Sequence, residues 1–229
     1  MTESPTIRPS VAALVRRSNA ILLDYNGTLS DDEELLAELI SEVSATELGI
    51  RLSRERYFLE FAGCTEEYMF EVLGKETGRL KKTPHELLQI FNGLYLERTR
   101  RHSTIAPATR DFVKGARRQG KRLVVVTAAS RDVVVPVLEQ ADLLRELDGV
   151  VALEDVEAPK PHPEAYLTAL ERLRLAPSQA VAFEDSRTGI TAARDAGITT
   201  VAVIGSLEEK ALRELTEYTT HALAPELLG

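Results

Sequence analysis

"ILLDYNGTLSDDE", residues 21–33, opens as an apolar run, reaches one carboxylate at Asp24, turns through Asn26, Gly27 and Thr28, and ends in an acidic stretch that starts a helical pattern. A run apolar on both alternating faces up to its last position reads as a strand covered on two sides, as in the middle of a parallel sheet. Similar runs recur at "RLVVVT" (122–127), "GVVAL" (149–153), "AVAFED" (180–185) and "TTVAVI" (199–204). From Ile105 onward they alternate with amphipathic helices such as "TRDFVKGARRQG", "PEAYLTALERLRL" and "RTGITAARDAGI", the last closed by Gly197. Strand and helix in alternation imply an α/β fold, a doubly wound parallel sheet. The tail "TTHALAPELLG" reads as a short last strand and a helical turn.

About 100 residues separate the first strand from the second, too many for one crossover connection, and their pattern is helical: "EELLAELISEVSATELG", "SRERYFLEFAG", "TEEYMFEVLGKETG" and "PHELLQIFNGLYLERTRR". The economical division is a helical insertion over 30–102 and a core made of 1–29 and 103–229. The insertion then leaves the sheet just after its first strand, where ligands bind in open α/β sheets, and can serve as a lid.

At 229 residues and 44% hydrophobic content the chain can bury a proper core. A formal charge of −8 argues against nucleic acid or an anionic membrane as partner and leaves a small ligand, with the protein a monomer or weak homodimer. The single cysteine, Cys64, cannot form an internal disulfide and reads as a small buried hydrophobe in a reducing compartment. The N-terminal stretch lacks a basic start followed by an apolar core, and no apolar run nears the roughly 18 residues of a membrane span, so a cytoplasmic protein is expected.

Four spaced elements fall at strand ends: Asp24 with "NGT", Thr127 in "TAA", Lys160 in "APKPHPEAY", and Glu184-Asp185 in "FEDSRTG". Taken singly, each has a structural reading: a strand-end turn, a β-branched strand residue, a solvated lysine, an acidic pair at a helix start. Taken together they fit phosphoryl transfer. A carboxylate attacks phosphorus only when cations offset the gathered negative charge, and hydroxyl and ammonium donors must hold the equatorial oxygens. His162 reads as a loop residue, and Ser130 and Arg131 either reach a substrate or cap the next helix.

The order and spacing of these motifs, with "FEDSRTGITAARDAGI" the most specific phrase, resemble the haloacid dehalogenase superfamily, in its β-phosphoglucomutase-like phosphatase branch with a helical cap. The resemblance spans nearly the whole chain. It implies a Rossmann-like core and a Mg²⁺-dependent hydrolase that passes a phosphoryl group from a small phosphorylated metabolite through an aspartyl-phosphate. It further implies Asp24 as nucleophile, Thr127 and Lys160 as phosphate clamps, Glu184 and Asp185 as metal ligands, and Gly27 and position 128, here Ala128, as phosphate-binding positions.

Position 26 departs from the family pattern, whose second carboxylate protonates the leaving oxygen and deprotonates the attacking water. Asn26 can do neither, a loss worth about 10² to 10⁴ in rate, so binding is expected to survive better than turnover. A sugar phosphomutase and a catalytically silent metabolite binder are the alternatives. Related mutases place basic residues in the cap loop, where "FAGCTEEYM" offers Glu66 and Glu67, and "LSDDEELL" lacks the histidine such mutases carry, which favours a phosphatase. The acidic mouth suggests substrates with an amine or modest charge.

Overall fold

The computed structural model describes residues 10–79 and 81–229; the reading of residues 1–9 as free of a leader lies outside them. Six parallel strands form one sheet in the order β3-β2-β1-β4-β5-β6: β1 (Ala20–Leu23), β2 (Arg122–Val126), β3 (Gly149–Val151), β4 (Ala180–Glu184), β5 (Thr199–Val203) and β6 (Tyr218–Thr220). The five sequence-read strands are all present. The sixth begins before the expected tail, at Tyr218, and Pro225–Leu228 forms the final helical turn.

The helices are α1 (Val11–Arg17), α2 (Glu33–Val43), α3 (Arg54–Arg56), α4 (Glu66–Thr77), α5 (Pro84–Arg101), α6 (Pro107–Arg118), α7 (Arg131–Gln140), α8 (Glu164–Leu173), α9 (Arg187–Asp195) and α10 (Glu209–Arg213). Alternation along each strand divides the core. Ile21 and Leu23 join Leu123, Val125, Phe112 and Val134 on one face, whereas Ala20 and Leu22 join Val124, Val126, Tyr166, Ala169 and Ala193 on the other. That is why β1 carries no polar residue before Asp24: both of its faces are buried.

The switch in strand order lies at β1. Leu23 pairs with Val125 of β2 on one side and with Phe183 of β4 on the other, so the residues just past these strands meet at one sheet edge. Helices α2, α4 and α5 pack together in the long segment between β1 and β2, with Phe70, Phe91 and Tyr95 in edge and stacked contacts. This segment leaves and rejoins the sheet side by side, tied by Ser30 Oγ donating to Thr104 Oγ1 at 2.6 Å and Asp31 N–H to the Thr104 carbonyl at 2.9 Å.

A second tie crosses at the far side, where Thr188 Oγ1 at the start of α9 donates to the Gly63 carbonyl at 2.8 Å. Gly63 sits at φ +81°, and a Cβ there would lie 2.5 Å from Thr188 Oγ1, so only glycine permits the approach. Thr188→Val, which keeps the shape and removes the donor, is expected to speed amide exchange of Gly63 and Cys64 severalfold. Unchanged exchange would mean that this bond does not hold the loop.

Candidate active site

Asp24 follows β1, Thr127 follows β2, Glu184 ends β4, Asp185 follows it, and Lys160 projects from the loop between β3 and α8. Lys160 Nζ lies 2.6 Å from Asp24 Oδ1, 2.6 Å from Glu184 Oε1 and 2.8 Å from the Val126 carbonyl, filling its three donor positions. All three partners are buried with it. Removing one side of such a pair leaves an uncompensated charge and costs about 3–5 kcal/mol. Burial lowers the Lys160 ammonium, but Asp24 and Glu184 outweigh it and hold the group above its usual value.

Glu184 is fully buried, and its Oε1 also accepts from Tyr166 OH at 2.7 Å. A Cβ at position 189 would lie 1.9 Å from its Oε2, which explains the glycine in "SRTG". Ser186 caps α9 as expected, its Oγ accepting from Gly189 N–H at 3.1 Å. Asp185 accepts from Ser206 Oγ, and Gly27, at φ +68°, presses so close that a Cβ would sit 2.0 Å from Asp185 Oδ2. One carboxylate oxygen from each of Asp24, Glu184 and Asp185 lies within 4.8 Å of the others. Burial first, then Glu184, raises Asp24 to about 7, against the pull of Lys160. Burial first, then Glu33 and Asp24, raises Asp185 well above the carboxylate range.

A cavity of about 30 Å³ opens beside these groups, lined also by Asn26, Glu33, Tyr57, Gly63, Cys64, Glu66, Met69, Thr127 and Ala128. Thr127 Oγ1 accepts from Ala129 N–H at 3.0 Å. Cys64 is partly exposed at this wall. His162 stays in its loop, exposed, with Nδ1 accepting from Glu164 N–H at 3.3 Å. Ser130 and Arg131 neither reach the cavity nor cap with a side chain: Ser130 Oγ donates to Glu154 at 2.7 Å, and Arg131 pairs with Asp155.

Sequence reasoning missed Asp32. It occupies the N-cap of α2, yet its side chain makes no cap bond and turns back to the β1 loop. Oδ2 accepts from Asn26 Nδ2 at 2.9 Å and from Tyr95 OH at 2.5 Å, and Oδ1 accepts from Gly27 N–H at 3.2 Å; Tyr95 OH also meets Tyr25 OH at 3.0 Å. Asn26 thus serves as a donor to Asp32. Ser206 and Tyr166 were missed as well, since nothing in "VIGS" marks a carboxylate's partner, although Tyr166 ends the quoted "APKPHPEAY" phrase.

The sequence model of the haloacid dehalogenase-like hydrolases matches residues 21–203. The chain belongs to that family. It is 29% identical over 204 residues to the phosphorylated carbohydrates phosphatase of Thermotoga maritima, covering 85% of this chain and 90% of that one. It is 41% identical over 92 residues to the validoxylamine A 7'-phosphate phosphatase of Streptomyces hygroscopicus subsp. limoneus, covering 40% and 43% of the two chains. Among solved structures, an aspartate-to-asparagine variant of CbbY from Rhodobacter sphaeroides, in complex with xylulose-(1,5)bisphosphate, superposes with a TM-score of 0.82 at 25% identity, covering 90% of this chain and 95% of that one. This family member is a hydrolase of the phosphatase kind.

Two outcomes follow from the buried acids. Burial raises Glu66 from 4.5 to about 7, so the folded state holds its proton to higher pH than the unfolded state and stability falls as pH rises through that window. Glu66→Gln, which stays neutral, is expected to match the parent near pH 4 and exceed it by about 2–3 kcal/mol at pH 8 in urea denaturation. Asn26→Asp sets a second carboxylate against Asp32 and is expected to destabilise by about 1–3 kcal/mol at pH 8, a loss absent when Asp32→Asn is also present. Equal losses in both backgrounds would remove Asp32 as the reason for the amide.

Proposed function

We propose that the protein is a Mg²⁺-dependent phosphomonoester hydrolase acting on a small phosphorylated metabolite through Asp24. The observation that carries this reading is the meeting of Lys160, Asp24, Glu184 and Asp185 at the strand-order switch, one carboxylate oxygen of each acid within 4.8 Å of the others. The donor set fits a hard divalent cation: all oxygen, buried, and carrying more negative charge than one lysine balances. Asp24 and Asp185, with Glu184, would hold the ion, which when bound supplies the positive charge that lets a carboxylate approach a phosphate.

In this reading an Asp24 carboxylate oxygen attacks phosphorus, the bond from phosphorus to the ester oxygen breaks, and the alcohol leaves after its oxygen takes a proton from solvent water. As Asp24 turns to phosphorus, the Lys160 donor that it releases and the Thr127 hydroxyl hold the oxygens of the transferring group, with Gly27 and Ala128 allowing close backbone approach. Water then attacks the phosphorus of the aspartyl-phosphate, the bond from phosphorus to the Asp24 oxygen breaks, and a proton of the water passes to solvent, freeing inorganic phosphate and restoring Asp24. Both steps need a proton carrier, and Asn26 is not one. The narrowness of the cavity, about 30 Å³, supports residues 30–102 acting as a cap that swings from its paired connections at Ser30 and Thr104 over the core of 1–29 and 103–229.

With Mg²⁺ and an activated aryl phosphate, a burst followed by a slow steady state is expected, with mass spectrometry after acid quench finding the adduct on Asp24. Asn26→Asp combined with Asp32→Asn is expected to raise the steady-state rate by about 10² or more. No adduct and no burst would overturn the nucleophile assignment and favour a silent binder.

A further inference from the structure

Three acids meet at the strand ends, and two of them share a cation. Lys160 donates to both Asp24 and Glu184, and Glu184 also accepts from Tyr166 OH. Asp185 is held differently. In the register of β4 and β5, Glu184 pairs with Ala202, so the chain that runs on past Val203 passes beside Asp185. That chain turns at Ile204 and Gly205, and Ser206 Oγ donates to Asp185 Oδ2. Gly27 bears on the same oxygen: its left-handed φ of +68° brings it so near that an added Cβ would lie 2.0 Å from Oδ2 and 2.9 Å from Ser206 Oγ. Oδ2 is thus enclosed between the loop after β1 and the loop after β5. Ser206 is 8% exposed and stands behind the acid, where it lines a separate cavity of about 240 Å³ with Thr28, Thr104 and His221, whereas Asp185 lines the smaller cavity with Asp24 and Lys160. A substrate in the smaller cavity meets Asp185 and not Ser206.

We propose that Ser206 is a positioning residue for the metal end of the site, fixing the Asp185 carboxylate in the orientation it offers to a divalent ion. The inference rests on the reading of Asp24, Glu184 and Asp185 as metal ligands. A hydroxyl suits this task better than a cation. It fixes the carboxylate through a hydrogen bond and leaves the negative charge for the ion, whereas a lysine or arginine in its place would neutralise that charge and compete with the metal. Without the donor, Oδ2 loses its bond to the loop after β5, and the carboxylate is freer to turn. The ion must then order its own ligand, and the cost falls on affinity: loss of such an outer partner typically weakens a metal site about 10- to 100-fold. Mg²⁺, which demands near-octahedral geometry at short distance, suffers more from a loose ligand than Ca²⁺, which accepts irregular sets of oxygens.

The test is calorimetric titration of the full chain with Mg²⁺ and with Ca²⁺, in the parent, Ser206→Ala and Ser206→Thr. Ser206→Ala is expected to weaken Mg²⁺ about tenfold or more and Ca²⁺ about threefold or less, lowering the preference for Mg²⁺. Ser206→Thr keeps the donor and is expected to stay within about threefold of the parent for both ions. General loosening of the loop would move both ions together. The inference is overturned if Ser206→Ala binds Mg²⁺ within about threefold of the parent, if it loses both ions by the same factor, or if Ser206→Thr binds as weakly as Ser206→Ala. The parent separates the two readings. If it binds neither ion, the metal assignment of the phosphatase reading fails and takes the inference with it; if it binds Mg²⁺ and the substitutions change nothing, only the role of Ser206 fails.

Discussion

The ammonium of Lys160 is the point on which the site depends. It reaches from the loop after β3 to the ends of β1 and β4 and to the carbonyl of Val126 on β2, joining four segments far apart in the chain. Its burial is tolerable only because Asp24 and Glu184 stand within 2.6 Å, and theirs only because it stands between them. Close packing then fixes the surroundings. Gly27 and Gly189 leave room for Asp185 and Glu184, Tyr166 donates to Glu184, and Ser206 donates to Asp185.

Position 26 gains its meaning from the same economy of charge. An amide there donates to Asp32, whose other acceptor sites take Gly27 N–H and Tyr95 OH, so the loop after β1 is tied to helix α5 through one carboxylate. The carboxylate of Asp32, six residues after Asn26, lies in a place where its hydrogen bonds are satisfied. A tie between the loop and the helical segment is the chemical content of Asn26. Asp32 also adds one more acid to a region already crowded with Glu33 and Glu66.

Much of this was legible in the residues. The apolar strands at 20–24, 122–127, 149–153, 180–185 and 199–204 are buried on both faces over most of their length, and that burial writes itself into the sequence as runs rich in Val, Ile, Leu and Ala. The helix start at Ser186 and the left-handed Gly197 were readable because capping is a local event. The partners of Ser130 and Arg131 were not, since Glu154 and Asp155 reach them only through the fold.

By itself the sequence determined the doubly wound α/β architecture, the helical segment between the first two strands, and which side chains end the strands. These follow from periodicity and turn chemistry, which act over a few residues. Only the tertiary structure decided that Lys160 spends its charge on Asp24 and Glu184, that Asp32 claims the amide of Asn26, and that Glu33 and Glu66 line the same cavity as Asp24 and Asp185. Each is a matter of hydrogen bonding and electrostatics between groups brought together by strand order and helix packing, and burial, which no local pattern records, sets how strongly those groups act.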